Sequence, residues 1–399
     1  MTTFIELGLP ASINSSLERL KITVPTPIQT ATIPKAISGI DLLASAQTGS
    51  GKTIAYLLPL LLHVMNHPES GAIILTPTRE LAAQVHQQVI KLTEGLIPMK
   101  TALLIGGAPM HNQIVSLRKK PRLIVGTPGR INDHLERGSF KLKDTRFLVI
   151  DEADRMLDMG FGIQLDRIAE YLPEKKQTLM FSATVFPSVE KLSQKYLKNP
   201  ERISIESKPE SQPKIKQEMV QTSVSEKFAT LQKQLTEREG TIIVFVRTKR
   251  SAERIAKELF KQGHSADSIH GDLPQRRRER VIHAFRSKKI RILIATDVAA
   301  RGLDVPHVMH VINYDLPECP EDYIHRIGRT ARAGAEGNAL CIVTSEDGYK
   351  WKAISRLIDP EKKNPQITFD QTRPKKGGFK PKRKPFRKRS HNFRGNRSR

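Results

Sequence analysis

The chain has 399 residues, of which 38% are hydrophobic and 27% charged, and its formal net charge at pH 7 is +25. This length exceeds one ordinary hydrophobic core, so we expect two domains that each bury enough apolar surface to fold. The only cysteines, Cys319 and Cys341, form neither a disulfide framework nor a metal-binding pattern, which fits a reducing compartment. The most apolar run, residues 55–65, is too short to span a membrane, and no charged-then-apolar leader opens the chain, so the sequence predicts a cytoplasmic protein.

The positive charge is unevenly distributed. Residues 373–399 contain 13 Lys or Arg and no Asp or Glu, which is about half of the net charge. A basic body with a still more basic C-terminal segment favours a polyanionic partner. From charge alone, a solvated and merely soluble surface remains the alternative.

Short apolar runs rich in β-branched residues alternate with stretches of helical periodicity. The predicted strands are residues 41–46, 72–77, 122–128, 146–151, 178–184, 241–248, 265–271, 291–297, 310–315 and 338–344. The predicted helices include residues 78–94, 163–171, 251–262 and 275–286. Continuous apolar strands that alternate with helices are typical of parallel sheets covered on both faces. The sequence therefore predicts an α/β protein made of two similar units.

Composition sets the predicted domain boundaries. Residues 206–217 are polar and contain proline, so we expect a linker between domains at 1–205 and 218–358. Residues 359–399 are rich in Lys, Arg, Gly and Pro and cannot form a core, so we expect a disordered basic tail. Its phenylalanines could stack on bases while its cations follow phosphates, or the tail could simply aid solubility.

The stretch ASAQTGSGKT, residues 44–53, nearly matches a phosphate-binding loop, in which Gly and four free positions precede Gly-Lys-Ser/Thr. Ala46 replaces the first glycine at the end of a predicted strand. The later glycines let backbone N–H groups approach phosphate oxygens, and the following helix N-terminus favours an anion. Lys52 can reach the β- and γ-phosphates, and the Thr53 hydroxyl can hold Mg²⁺. An empty glycine-rich turn is the alternative. The predicted nucleotide-binding residues of the loop are Ala46, Gln47, Thr48, Gly49, Ser50, Gly51, Lys52 and Thr53.

A second acidic site follows another predicted strand. FLVIDEAD, residues 147–154, is an apolar strand that ends in two carboxylates. Ligands of open parallel sheets bind beyond the carboxyl ends of the strands, so Asp151 is expected to face Mg²⁺ near Thr53. Glu152 can then orient or deprotonate the attacking water. Helix-capping charge is the alternative role for this acidic pair.

Residues 151–154 read Asp-Glu-Ala-Asp. Together with AQTGSGKT (46–53), PTRELAAQ (77–84), TPGR (127–130), SAT (182–184), ATDVAARGLD (295–304) and HRIGRTARAG (325–334), they make the chain resemble the DEAD-box RNA helicases. The resemblance covers nearly all of residues 1–358, and the short basic tail resembles that of bacterial members. It implies two tandem RecA-like domains, with ATP and Mg²⁺ as cofactors and RNA as the partner.

The resemblance also implies roles for residues in both domains. Gln29 matches the residue that reads the adenine edge, with Phe4 as its upstream aromatic. Asp304 is expected to contact the ribose or bound nucleotide, and Arg329 and Arg332 match the two arginines of the γ-phosphate. The residues implied to couple ATP to RNA are Ser182 and Thr184. The implied catalytic residues are Lys52, Asp151, Glu152, Arg329 and Arg332.

RNA binding is implied at a third set of positions, which contact the backbone and fix register without reading sequence. They are Pro77, Thr78, Arg79, Gly107, Thr127 and Arg130 in the first domain and Arg247, Gly271, Gln275, Arg278 and Thr296 in the second.

The chain departs from the family pattern at two places within its domains, and its tail matches no folded accessory domain, so the tail indicates no particular RNA target. Lys21 and Ile22 replace a glycine and an aromatic upstream of Gln29, so Ile22 offers apolar contact instead of stacking and looser base selection is expected. Ala331 stands where many members have glycine, between the two arginines. The spacing of His325, Arg329 and Arg332 predicts one shared face if they lie on a helix, in which Ala331 would be tolerated.

The function that the sequence favours is that of an ATP-dependent RNA helicase, which separates short duplexes and remodels RNA or RNA–protein complexes. An ATP-gated RNA clamp or chaperone with little strand separation is a second hypothesis, and the family motifs disfavour a DNA translocase. The protein is expected to act as a monomer, away from membranes, with ribosomal or RNA-decay assemblies as possible targets.

Overall fold

The computed structural model describes residues 3–47, 49–96, 98–205, 214–300, 305, 307–331 and 336–358. Within these ranges the chain forms two parallel sheets, of seven and six strands, with helices packed on both faces of each. The α/β class predicted from the sequence is therefore confirmed. The basic tail lies outside the described residues.

The first domain contains a seven-stranded sheet in the order β3-β4-β2-β5-β6-β1-β7. Its strands are β1 (Leu42–Ala46), β2 (Gly71–Leu75), β3 (Thr101–Leu104), β4 (Leu123–Gly126), β5 (Thr145–Ile150), β6 (Gln177–Ser182) and β7 (Glu201–Ile205). Its helices are α1 (Ala11–Arg19), α2 (Pro27–Ile37), α3 (Lys52–Asn66), α4 (Arg79–Thr93), α5 (Met110–Arg118), α6 (Pro128–Glu136), α7 (Ala153–Asp158), α8 (Gly162–Tyr171) and α9 (Pro187–Tyr196).

The second domain contains a six-stranded sheet in the order β10-β11-β9-β12-β13-β8. Its strands are β8 (Ile215–Gln221), β9 (Thr241–Phe245), β10 (Ala266–Ile269), β11 (Ile292–Ala295), β12 (Val308–Asn313) and β13 (Gly337–Val343). Its helices are α10 (Lys227–Thr236), α11 (Lys249–Lys261), α12 (Gln275–Arg286), α13 (Asp297–Ala300), α14 (Pro320–Ile327) and α15 (Gly348–Ile358).

Each sheet is buried on both faces because successive side chains of a strand point to opposite sides. In β5, Phe147 and Val149 pack into one apolar cluster, whereas Leu148 and Ile150 pack into the other. Continuous apolar runs are therefore required in the central strands. This is why those strands could be predicted from the sequence.

Three strands were not predicted, and all three lie at sheet edges: β3, β7 and β8. Edge strands bury less surface, and β7 (ERISI) and β8 (IKQEMVQ) mix charged and apolar residues. Strand β8 begins at Ile215, inside the segment assigned to a linker, and pairs in register with β13 from Gly337 onward. Residues 215–217 thus belong to a sheet; residues 206–213 lie outside the described residues.

Candidate functional site

The phosphate loop lies between β1, which ends at Ala46, and α3, which begins at Lys52. Gly49 and Gly51 have φ angles of 87° and 93°, a left-handed region that glycine adopts readily. The buried Lys52 ammonium donates to the carbonyl oxygens of Ala46 (2.5 Å) and Ser182 (3.2 Å). Burial lowers the pKa of Lys52, although nearby carboxylates oppose that shift. The positively charged Lys52 side chain is therefore held at the ends of β1 and β6. Thr48 lies outside the described residues.

Asp151 follows β5 and is almost completely buried. Its Oδ2 accepts a hydrogen bond from the Tyr56 hydroxyl at 2.9 Å, whereas its buried Oδ1 has no hydrogen-bond partner among the described residues. Burial, and then the charge of Glu152, raise the pKa of Asp151 to about 6. A buried carboxylate oxygen that accepts no hydrogen bond is a suitable ligand for a hard cation such as Mg²⁺. Thr53 lies in the first turn of α3, and its side chain is only partly buried. The residues present therefore fit a magnesium ion, which Asp151 and Thr53 would hold.

Glu152 caps α7 with left-handed backbone angles, φ 54° and ψ 52°. Strained backbone of this kind in a non-glycine residue is concentrated at functional sites. Its carboxylate pairs with Arg155 at 2.7 Å, and the two side chains are 12% and 3% exposed. The carboxylate predicted to act on water is thus held by a buried guanidinium.

Asp154 connects the Asp-Glu-Ala-Asp segment to the residues after β6. Its Oδ2 accepts hydrogen bonds from the backbone N–H groups of Ala183 and Thr184 and from the Thr184 hydroxyl, each at 3.0 Å. Burial opposes ionisation, but the charge of Lys52 and the backbone N–H groups of Arg155 and Thr184 hold the pKa of Asp154 below its usual value. The Ser182 hydroxyl donates to the Thr184 carbonyl at 2.5 Å. The two segments therefore form one hydrogen-bonded unit.

Gln29 lies against the phosphate loop. Its Oε1 accepts from the Thr26 backbone N–H at 2.9 Å, and its Nε2 donates to the Gly51 carbonyl at 3.0 Å. A Cβ atom added at Gly51 would lie 2.4 Å from this Nε2, so a larger residue there would displace the Gln29 amide. Phe4 is buried in the core of the domain. Lys21, where the family has glycine, has φ 59° just after α1, which explains why glycine suits that position.

In the second domain, Arg329 is 5% exposed, and its Nε donates to the His325 carbonyl at 3.3 Å. The prediction of one helical face shared by His325 and the two arginines is wrong, because α14 ends at Ile327 and Gly328 caps it. Ala331 lies beyond the helix with φ 55°, so it is not a helical alanine. Its backbone conformation instead explains the glycine of other members. Asp304 and Arg332 lie outside the described residues.

The residues implied to bind RNA mostly follow the carboxyl ends of strands in their own domain, and those of the first domain lie on the same sheet edge as the phosphate loop. Thr78 caps α4 and accepts from the Leu81 N–H, and Arg130 Nη1 donates to the Ala108 carbonyl at 3.1 Å. Arg79 lies against Gly107, where an added Cβ would be 2.5 Å from its Nη1. The other positions after strands are Pro77, Thr127, Arg247, Gly271 and Thr296.

Gln275 and Arg278 begin α12 and meet the first domain directly. A Cβ at Gly107 would lie 3.5 Å from the Gln275 Cβ, and Arg278 Nε donates to Glu80 Oε1 at 2.7 Å. The side chains of Arg278 and Glu80 are 3% and 4% exposed. A further contact joins Arg155 Nε to His325 Nδ1 at 3.3 Å. The two domains thus contact each other through buried polar side chains.

Three residues were missed by the sequence analysis: Glu80 and Arg155, which contact the second domain, and Asp154, which contacts the residues after β6. Each lies within or next to a motif that was recognised, but its role depends on a residue far away in the chain. Among the described residues there is no cluster of three or more His, Cys, Asp or Glu that could bind a metal. None of the described helices is long and apolar enough to cross a membrane.

Comparison with known proteins identifies the family. Residues 26–192 match the DEAD/DEAH box helicase family, and residues 226–334 match the Helicase conserved C-terminal domain. The DEAD-box ATP-dependent RNA helicase CshA of Bacillus cereus (strain ATCC 10987 / NRS 248) is 42% identical over 358 residues, which cover 89% of this chain and 68% of CshA.

Two solved structures are informative together. S. cerevisiae Dbp5 bound to RNA and ADP BeF3 matches with a TM-score of 0.80 at 33% identity, covering 90% of this chain and 94% of Dbp5. A DEAD box protein from the hyperthermophile Methanococcus jannaschii is 41% identical, with 90% and 97% coverage, but its TM-score is only 0.51. With two matched domains, a bacterial relative at 42% identity and the same fold, the chain belongs to the DEAD-box family of ATP-dependent RNA helicases.

Proposed function

We propose that this helicase uses ATP to close its two domains on single-stranded RNA, and thereby separates short duplexes and remodels RNA or RNA–protein complexes. The observation that carries the proposal is the buried Glu80–Arg278 pair, which joins the domains between positions implied to bind RNA. A closed surface that accepts only a bent single strand would separate base pairs as it forms on a duplex.

The two structural comparisons support this reading. The less identical relative, Dbp5 with RNA and a nucleotide analogue, matches better over the whole chain than the more identical Methanococcus jannaschii protein. For proteins with the same fold and similar coverage, the TM-score falls most when the domains are placed differently relative to one another. The arrangement described here thus resembles one that in Dbp5 accompanies RNA and nucleotide.

We assign hydrolysis to groups from both domains. Lys52 neutralises the β- and γ-phosphates, Glu152 orients the attacking water, and Arg329 and Arg332 stabilise charge that develops on the transferred phosphoryl group. Phosphoryl transfer depends on position and charge neutralisation more than on covalent chemistry, so a site divided between domains is inactive until they close. Gln29 reads the adenine, Asp304 contacts the nucleotide, and Ser182 and Thr184 couple the two sites.

Thr53 and Asp151 would hold Mg²⁺ with the phosphates of ATP. The ion would neutralise charge on the β- and γ-phosphate oxygens. The unpartnered, buried Oδ1 of Asp151 supports this assignment.

RNA contacts in this proposal are made to the backbone. Groups after the strands of each domain lie at the carboxyl edge of its own sheet. The buried Oε1 of Gln275 lacks a donor among the described residues, as expected of an acceptor for a ribose hydroxyl. The basic tail adds nonspecific affinity. We further propose that the protein acts as a monomer in the cytoplasm, on ribosomal or RNA-decay assemblies.

The test compares ATP turnover with and without single-stranded RNA in the wild type and in Glu152→Gln. We expect RNA to stimulate the wild type and the variant to lose most turnover while it still binds ATP. Strand displacement on a short duplex then separates a helicase from an ATP-gated clamp. Wild-type turnover in Glu152→Gln would refute the assignment of roles, and stimulation by DNA as strong as by RNA would refute the substrate.

A further inference from the structure

One guanidinium group contacts both domains beside the hydrolytic glutamate. Arg155 Nη1 donates to Glu152 Oε2 at 2.7 Å within the first domain, and its Nε donates to His325 Nδ1 at 3.3 Å in the second. Arg155 is 2% exposed. It lies one residue beyond the Asp-Glu-Ala-Asp segment, and neither the motifs nor the proposed mechanism gives it a role.

We propose that Arg155 is a positioning residue, which makes the orientation of Glu152 depend on the approach of the second domain. The proposal rests on the proposed role of Glu152. Among the described residues, Arg155 is the only group that pairs or hydrogen-bonds with the Glu152 carboxylate. The orientation of the Glu152 carboxylate therefore depends on the orientation of the Arg155 guanidinium.

The second domain presents a well-fixed acceptor. His325 lies in the last turn of α14, and the next residue, Arg326, anchors that helix through two bonds to Asp297, at 2.6 and 2.7 Å. The Arg326 guanidinium also donates to Asn313 Oδ1 at 2.9 Å and lies over the Phe245 ring. The His325 ring is thus carried by a rigid part of the second domain, so its contact with Arg155 is made or lost with domain closure.

Arginine suits this role because its planar group offers several donors in fixed directions, whereas lysine is a point charge on a flexible stem. When His325 withdraws, Nε loses an acceptor and the buried cation must find other partners. Glu152, already in a strained backbone conformation, then lacks a defined direction.

The experiment compares three variants of the full chain. Arg155→Lys and His325→Leu should each lower RNA-stimulated kcat by roughly 10- to 100-fold, the effect of misplacing a reacting group by about 1 Å. His325→Asn should retain most turnover, because its Oδ1 can take the place of Nδ1. The double variant Arg155→Lys/His325→Leu should fall no further than Arg155→Lys alone. The matched control is Arg167→Lys, an exposed arginine of the same domain paired with Glu136 at 3.4 Å, and it should equal wild type.

Binding and closure are measured on the same proteins. Dissociation constants for ATP and single-stranded RNA, and fluorescence transfer between dyes on the two domains with RNA and a nonhydrolysable analogue, should stay close to wild type. If closure falls in parallel with turnover, Arg155 only stabilises the closed arrangement of the domains, and the proposal is overturned. Wild-type kcat in Arg155→Lys, or additive losses in the double variant, would also overturn it. If Arg155→Lys unfolds, the two His325 variants decide, since they leave the first domain intact. A dead Glu152→Gln with active Arg155 and His325 variants would refute this inference alone.

Discussion

Replacement of Arg278 by methionine should selectively destabilise the closed arrangement of the domains. The change removes the charge but keeps similar volume, and it leaves the Glu80 carboxylate buried without its partner; the second oxygen, Oε2, already has none among the described residues. Breaking a buried ion pair in this way costs about 3–5 kcal/mol. The cost falls on the closed state, because water solvates Glu80 when the domains separate.

The expected loss in kcat/KM for RNA is roughly two to four orders of magnitude, since about 1.4 kcal/mol corresponds to a factor of ten. The assay is RNA-stimulated ATP turnover over a range of RNA concentrations. The double variant Glu80→Leu/Arg278→Met should recover part of the loss, because an apolar pair can replace a buried ion pair. Additive losses would show that Arg278 acts on RNA alone, and wild-type activity in Arg278→Met would refute the reasoning.

Three further predictions concern single positions. Lys21→Gly should raise the free energy of unfolding in denaturant by about 0.5–1 kcal/mol, because a left-handed residue is strained and glycine is not; an unchanged or lower value would contradict this. Gly51→Ala should abolish ATP binding measured by titration, because its Cβ would meet the Gln29 amide at a φ of 93°, and retained affinity would exclude that clash. Asp151→Asn should be more stable than wild type at pH 7.5 without nucleotide or metal, by about 1.4 kcal/mol per unit of pKa shift. The pKa of Asp151 in the folded state is raised to about 6, so the wild type loses stability relative to the variant as pH rises from 4 through 6. The free energies of unfolding of the two proteins should therefore converge near pH 4.

The sequence predicted the central parts of both sheets because each central strand must be apolar on two faces. It missed β3, β7 and β8 because edge strands escape that requirement. The acidic site could be predicted for a related reason: Asp151 directly follows an apolar strand, and ligands of parallel sheets bind at that end. Local pattern and topology were enough to place it.

Other features depend on contacts that no local pattern reveals. Glu80 and Arg278 are 198 positions apart in the chain, and Arg155 and His325 are 170 apart. The spacing of His325, Arg329 and Arg332 was compatible with one helix, but Gly328 ends α14 before the arginines. A periodic spacing says where side chains would point on a helix and does not say whether the helix continues.

The order of strands has a consequence for biosynthesis. Within the part of the chain that the structure describes, β1 of the first domain pairs only with β6 and β7, the last strands of that sheet to be made, and β8 of the second domain pairs only with β13. The opening strand of each sheet must therefore wait, unpaired, until almost the entire domain has left the ribosome. Non-local pairing of this kind slows folding, so apolar segments of each domain stay exposed to aggregation until its synthesis is nearly complete.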